Sequence, residues 1–143
     1  MKDGYLLVTA GGVRCGLPLD DVRSIVEIDA ARPAPAVHPA VLGVMAVADG
    51  FLPLVALAGL VGGDADHPPD VAVVARCGAA LVALAVDDVE EVVHGQFHPV
   101  PKEWEHAWAS AVARDARGLV PLVDLTAVAA QLTPDEAEVN DAE

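Results

Sequence analysis

Apolar positions along this chain fall in short runs separated by turn residues, not at helical spacing. Tyr5-Leu-Leu-Val-Thr-Ala10 is closed by Gly11-Gly12, and Val13 to Leu19 follows. Two such runs joined by Gly-Gly predict a β-hairpin. Asp20-Asp21 predicts a turn and Val22 to Ile28 a further strand. Ala30 to Pro39 holds three prolines, which predict a loop or an extended connection. Val41 to Val47 and Phe51 to Leu57 flank Asp49-Gly50, one of the strongest hairpin signals. Ala56 to Val61 predicts a closing helical turn, and Gly62 to Asp70 a linker.

The pattern then restarts. Val71 to Arg76 and Leu81 to Val86 predict a hairpin over Cys77-Gly78. Asp87-Asp88 predicts a turn and Val89 to His94 a strand. His98 to Pro101 is a proline-punctuated connection, and Trp104 to Val112 starts helical and ends strand-like. Ala113 to Arg117 predicts a turn and Leu119 to Asp124 a strand. Thr126 is placed as the cap of a short helix, Ala127 to Leu132. Leu17-Pro-Leu-Asp-Asp-Val22 matches Leu84-Ala-Val-Asp-Asp-Val89 at an offset of 67. Leu52-Pro-Leu-Val-Ala-Leu57 matches Val120-Pro-Leu-Val-Asp-Leu125 at an offset of 68. Two matches in one order and register predict an internal duplication. The expected architecture is all-β, with two small five-stranded barrels sharing an apolar core. The first barrel is expected at about 4–61, the linker at 62–70, the second barrel at about 71–132 and an acidic flexible tail at 133–143. A unit of roughly 60 residues buries only ~60% of its unfolded surface, so each half needs the other. The seam between them is the natural place for a binding groove.

Composition supports a real core: 54% of the 143 residues are hydrophobic, mostly Val, Ala and Leu, with only 3% aromatic. Val favours strands because its branched β-carbon suits a pleated surface. The net charge of −14 with eight Lys and Arg opposes nucleic-acid binding, which draws its affinity from cations that release counterions. It equally opposes docking on anionic membranes. The longest apolar stretch, Val37 to Val61, is broken by Pro39, Asp49-Gly50 and Pro53, so no membrane insertion is expected. No signal peptide is expected at Met1-Lys2-Asp3-Gly4, and two cysteines make no disulfide framework. Both point to the cytoplasm.

Catalytic signals are sparse. The only serines, Ser24 and Ser110, sit in no nucleophile context, and Gly11-Gly12 and Gly62-Gly63 lack the Lys-Ser/Thr of a phosphate loop. Cys15 and Cys77 fall in or beside strands, where an inert buried thiol is the plain expectation. His94 and His98 have a zinc-pair spacing only if helical, and Gly95 and Pro99 oppose a helix. The loop Asp64-Ala-Asp66-His67 is a second weak metal candidate. Asp20-Asp21 and Asp87-Asp88 are placed as turn formers that bind nearby amides. Trp104 and Trp108, four apart, would share a helical face as core packing. No cofactor, metal site or catalysis is expected.

The same motifs, in this order, resemble the CheW-like chemotaxis adaptor family. The resemblance rests on Tyr5-Leu-Leu-Val-Thr-Ala-Gly-Gly12, Gly16-Leu-Pro-Leu-x-x-Val22-x-x-Ile25 and Pro39-x-x-Leu42-Gly43-Val44-Met45-Ala46-Val47. Leu52-Pro-Leu-Val-x-Leu57, Leu84-Ala-Val-Asp87-Asp-Val89 and Leu119-Val-Pro-Leu-Val-Asp-Leu125 continue it, so it spans about Gly4 to Leu132. It implies two five-stranded SH3-like barrels and a non-catalytic adaptor. Its implied partners are the cytoplasmic tips of methyl-accepting chemoreceptors and a CheA-type histidine kinase. It places Val22, Ile25, Gly43, Ala48 and Asp49 on the receptor side, and Val86 and Asp87 on the kinase side. One departure is plain: the family follows the Gly43 strand with Asn-x-Arg-Gly, whereas this chain has Ala46 for the Asn and Ala48-Asp49 for Arg-Gly. Ala cannot replace the planar donor fork of Arg. The alternative is therefore a divergent member that binds one partner only or serves a non-motility signalling system.

Overall fold

The computed structural model describes residues 4–28, 31–32, 40–47, 50–64, 69–102, 108–115 and 117–132. Among these residues, eleven strands and two short helices follow one another. They are β1 (Gly4–Ala10), β2 (Val13–Pro18), β3 (Val22–Glu27), β4 (Ala31–Arg32), β5 (Val41–Val47), β6 (Gly50–Ala56) and α1 (Leu57–Val61). Then come β7 (Val71–Cys77), β8 (Ala80–Val86), β9 (Asp88–His94), β10 (Ala109–Asp115), β11 (Gly118–Val123) and α2 (Leu125–Leu132). The hairpins over Gly11-Gly12 and Cys77-Gly78 form as the turn residues demand. Gly11 adopts φ 59° and Gly78 φ 67°, where a side chain would be strained.

The strands make two sheets, which form the two SH3-like barrels. One runs β10-β11-β2-β1-β9 and the other β3-β7-β8-β6-β5-β4. This corrects the expected barrel boundaries. Residues 4–61 and 71–132 do not each close a barrel, because each sheet draws strands from both halves. The first sheet is built from the ends of the chain and the second from its middle. Asp20-Asp21, in a 3-10 turn at Leu19–Asp21, carries the chain from the first sheet to the second. Asp87 carries it back between β8 and β9. The segment after α1 is thus a connection inside the second barrel, not a boundary between barrels.

The physical reason lies in the hairpins. β1–β2 and β7–β8 are apolar on both faces, so both faces must be covered. Tyr5 and Leu7 point into the first barrel, with Val120 and Leu122, while Leu6 and Val8 join the large cluster between the barrels. In β7 and β8, Ala72, Val74, Ala83 and Ala85 fill the second barrel, while Val73, Leu84 and Val86 enter the shared core. A strand with period-two alternation between two cores reads as an unbroken apolar run.

The duplication survives this exchange and becomes exact in register. Replacing each strand of one sheet by its counterpart in the other half reproduces the other sheet order, β4 aside. Each half's first hairpin completes the other half's barrel. The parallel pair Leu54↔Ala83 between β6 and β8 has its counterpart in Leu122↔Gly16 between β11 and β2. These positions differ by 68 and 67, the two offsets of the sequence repeat. The register shift between Val41 and Gly43 recurs between Ala109 and Ala111. The hydrogen bond from Ala56 N to Ala40 O recurs from Asp124 N to Trp108 O.

The helical predictions need one correction. α2 begins at Leu125, and its cap is Asp124, not Thr126. Asp124 Oδ1 accepts from the amides of Thr126 and Ala127, both at 3.1 Å. Its carboxylate sits one position before the helix, where Thr126 is already inside it. Trp108 is buried in the shared core, as core packing predicts, while Trp104 lies outside the described residues, as does the acidic segment 133–143.

Candidate functional site

β3 carries the first two candidate residues. It pairs only with β7 among the described strands, so its other edge has no strand partner among the described residues. Val22 opens the strand half-buried and packs against the shared core. Ile25 sits opposite Val73 with its side chain turned outward, 48% exposed. The register shifts between Val22 and Ser24, so the strand bends and Ile25 projects from the bend.

Gly43 lies on β5, with β7, β8 and β6 between it and β3 in sheet order. It is buried, sits at the β5–β6 register shift and adopts φ 149°. That backbone conformation suits glycine, so Gly43 shapes the strand and offers no side chain. Ala48 and Asp49, the departure from the family motif, lie outside the described residues. They join Val47 to Gly50, which pair with each other. The structure therefore unites Val22 and Ile25 on one strand but sets Gly43 on another part of the sheet.

Val86 ends β8 with its side chain in the shared core, 1% exposed, and so presents no surface of its own. Asp87 is exposed and structural at once. Its Oδ2 accepts from the Gly11 amide at 2.8 Å, and its own amide donates to Thr9 O at 2.8 Å. The crossing between the sheets is thus fastened to the tip of β1–β2. From the other side, Asp64 N donates to Gly11 O at 3.0 Å. A Cβ on Gly11 would collide with the Asp64 backbone, so only glycine permits this approach.

Several surface residues escaped the sequence analysis. Leu42, Phe51, Leu81, Val92 and Leu119 are exposed large hydrophobics. The repeat offset was the signal that would have found two of them. It carries Ile25 onto Val92, with exposures of 48% and 49%, and Phe51 onto Leu119. Also missed was a polar cluster on the first barrel. Arg14 pairs with Asp115 at 2.8 Å, Arg117 with Glu90 at 2.9 Å, and Thr9 donates to Glu90 at 2.8 Å. Hydrogen bonds from Arg14 and the Arg117 amide hold the Asp115 carboxyl below its ordinary value. Those from Thr9 and Arg117 do the same for Glu90.

The chemistry of the remaining candidates is inert or dispersed. Burial pushes the Cys15 thiol up to about 12. Burial, aided by the charge of Asp21, pushes Cys77 up to about 12 as well. Neither supplies a thiolate near neutral pH. Among the described residues no three His, Cys, Asp or Glu side chains converge on a metal position. His94 and His98 stand on β9 and on an isolated bridge to Val112, and His67 and Asp66 lie outside the described residues. No helix among the described residues is long and apolar enough to cross a membrane.

The arrangement is a rigid two-barrel frame with apolar side chains on its surface, which suits protein docking. Comparison with known proteins agrees with the frame. The crystal structure of the scaffolding protein TtCheW from Thermoanaerobacter tengcongensis superposes with a TM-score of 0.76 at 16% identity, covering 86% of this chain and 89% of that one. No curated protein matches the chain. The family model of the CheW-like domain matches residues 4–133. Nearly the whole chain is thereby accounted for, and it belongs to the CheW-like domain family.

Proposed function

We propose that this protein is a non-catalytic cytoplasmic adaptor that couples the cytoplasmic tips of chemoreceptors to a CheA-type histidine kinase. The observation that carries the proposal is Ile25, a large apolar side chain held 48% exposed on β3, a strand whose outer edge has no partner among the described strands. Ile25 is one of six exposed large hydrophobics among the described residues, and it is the one on the strand that the family resemblance assigns to the receptor. Val22 supports the start of this strand by packing on the shared core, whereas Gly43, separated from β3 by three strands in sheet order, and Ala48-Asp49 are assigned to the receptor side by the family resemblance alone. On the kinase side Asp87 is the candidate contact, and Val86 holds the strand end beneath it.

A second outcome follows from Ala48-Asp49, where the family carries Arg-Gly. An aliphatic residue and a carboxylate in place of a guanidinium remove a donor fork and add a charge of opposite sign. Such a protein keeps one partner and loses, or replaces, the other. This divergent reading also covers service in a non-motility signalling system.

The test is a binding assay on the intact protein with a purified receptor cytoplasmic fragment and, separately, with the kinase. Ile25→Glu is expected to weaken receptor-fragment binding at least tenfold with an unchanged circular-dichroism spectrum. Asp87→Arg is expected to weaken kinase binding and leave the receptor fragment bound. Binding of the kinase alone selects the divergent reading. Binding of neither at micromolar concentration overturns the adaptor.

A further inference from the structure

The chain crosses between its sheets at two places whose sequences match and whose structures differ. Leu17-Pro-Leu-Asp-Asp-Val22 makes one crossing and Leu84-Ala-Val-Asp-Asp-Val89 the other. At the second, the single residue Asp87 separates β8 from β9, and it is clasped to the β1–β2 tip. Its Oδ2 accepts from the Gly11 amide and its own amide donates to Thr9 O, both at 2.8 Å. At the first, the three residues Leu19–Asp21 separate β2 from β3 and form a 3-10 turn. The repeat offset of 67 carries Asp20 onto Asp87, Gly11 onto Gly78 and Thr9 onto Arg76. Gly78 holds nearly the same backbone as Gly11, φ 67° against 59°. Yet Asp20 is exposed, and no described carboxylate accepts from the Gly78 amide. The Asp20 carbonyl instead accepts from Arg23 Nη1 at 3.0 Å. An open cleft of about 210 Å³, bordered by Pro18, Asp21, Arg76, Gly78 and Asp124, lies beside this crossing.

We propose that the first crossing is a clasp with two states, open as in this structure and closed by the Asp20 carboxylate accepting from the Gly78 amide. The Asp20 amide then donates to Arg76 O, as that of Asp87 does to Thr9 O. The closed geometry is thus already built once in the molecule, from the same repeat. Slack is present, since three residues make this crossing where one makes the other. Charge also favours closure. Arg76 borders the cleft, exposed and without an ion pair among the described residues, so closing brings an anion onto a cation. Asp21 opposes it, while the Asp124 carboxylate is committed to the amides of Thr126 and Ala127. Pro18 biases the clasp toward the open state. It caps the 3-10 turn at φ −55°, and its ring fixes that angle where the counterpart, Ala85, is free to extend. β3 begins two residues after Asp20, so closing moves the root of the strand that carries Val22 and Ile25.

Amide NMR of the full chain tests this, because an N–H that donates to a carboxylate changes its shift when the carboxylate takes up a proton. Gly11 is the internal reference: its amide is expected to move between about pH 7 and pH 3, and to stop moving in Asp87→Asn. The Gly78 amide is expected to move in the same direction, by about a tenth of the Gly11 step or more, as a minor closed state requires. That movement is expected to vanish in Asp20→Asn, to persist in Asp21→Asn and to grow in Pro18→Ala. A Gly78 amide that does not titrate overturns the clasp. So does one that titrates unchanged in Asp20→Asn, which would assign the effect to Asp21 or Asp124, and so does a step that Pro18→Ala leaves the same.

Discussion

At the scale of single residues, the two cysteines turn burial into a pH dependence. Cys15 and Cys77 are 0% and 1% exposed, and both thiols are raised from 9.0 to about 12. The folded chain keeps both protons at a pH where the unfolded chain has lost them. Their contribution is therefore complete below pH 9 and is lost as the pH rises from there toward 12. Each thiol accounts for a slope of at most ~1.4 kcal/mol per pH unit in that window. Urea denaturation of the wild type and of Cys15→Ala between pH 8 and pH 11 checks this. The gap in stability between them is expected to narrow as pH rises, although the alanine leaves a small cavity at every pH. Of the residues themselves, the sequence showed which were apolar and which were candidate contacts. It did not show that Val86 would be sealed in the core while Ile25 stood outside. Both are aliphatic residues in strands, and only the sheet that each strand joins decides which face is covered.

At the scale of elements, turn chemistry made the hairpins legible. Gly-Gly, Asp-Gly and Cys-Gly each stand where a strand reverses, because only glycine takes the left-handed backbone cheaply. The start of α2 was misplaced by two residues, since Asp124 and Thr126 are both good caps and the strand end decides between them. Asp124→Ala is expected to cost ~1 kcal/mol through loss of its two amide contacts, whereas Thr126→Ala, at an exposed position inside the helix, costs little. Thermal denaturation of the two variants measures the contrast. The ion pairs of β2, β9, β10 and the β10–β11 turn were not legible at all. Arg14 and Asp115 are 101 positions apart and meet across β11.

At the scale of the whole molecule, the exchanged hairpins make the two barrels one folding unit. Neither half of the chain holds a complete barrel, so a fragment ending in the linker and one beginning there are each expected to be unfolded alone. Mixed at equal concentration, they are expected to recover strand structure and one cooperative transition. Circular dichroism and size-exclusion chromatography of the fragments decide it. A folded, monomeric first fragment would contradict the exchange.

What the sequence determined by itself is local and periodic: strands, hairpin turns, an all-β class, and a duplication exact enough to carry bulges and hydrogen bonds in register. Those follow from side-chain period and backbone freedom within a few neighbouring residues. Tertiary structure alone decided which half owns which barrel. A hairpin apolar on both faces demands two covering layers, but its sequence does not say whose. Covering it from the opposite half buries both faces at once, and Ile25 on β3 is among the apolar side chains that remain outside.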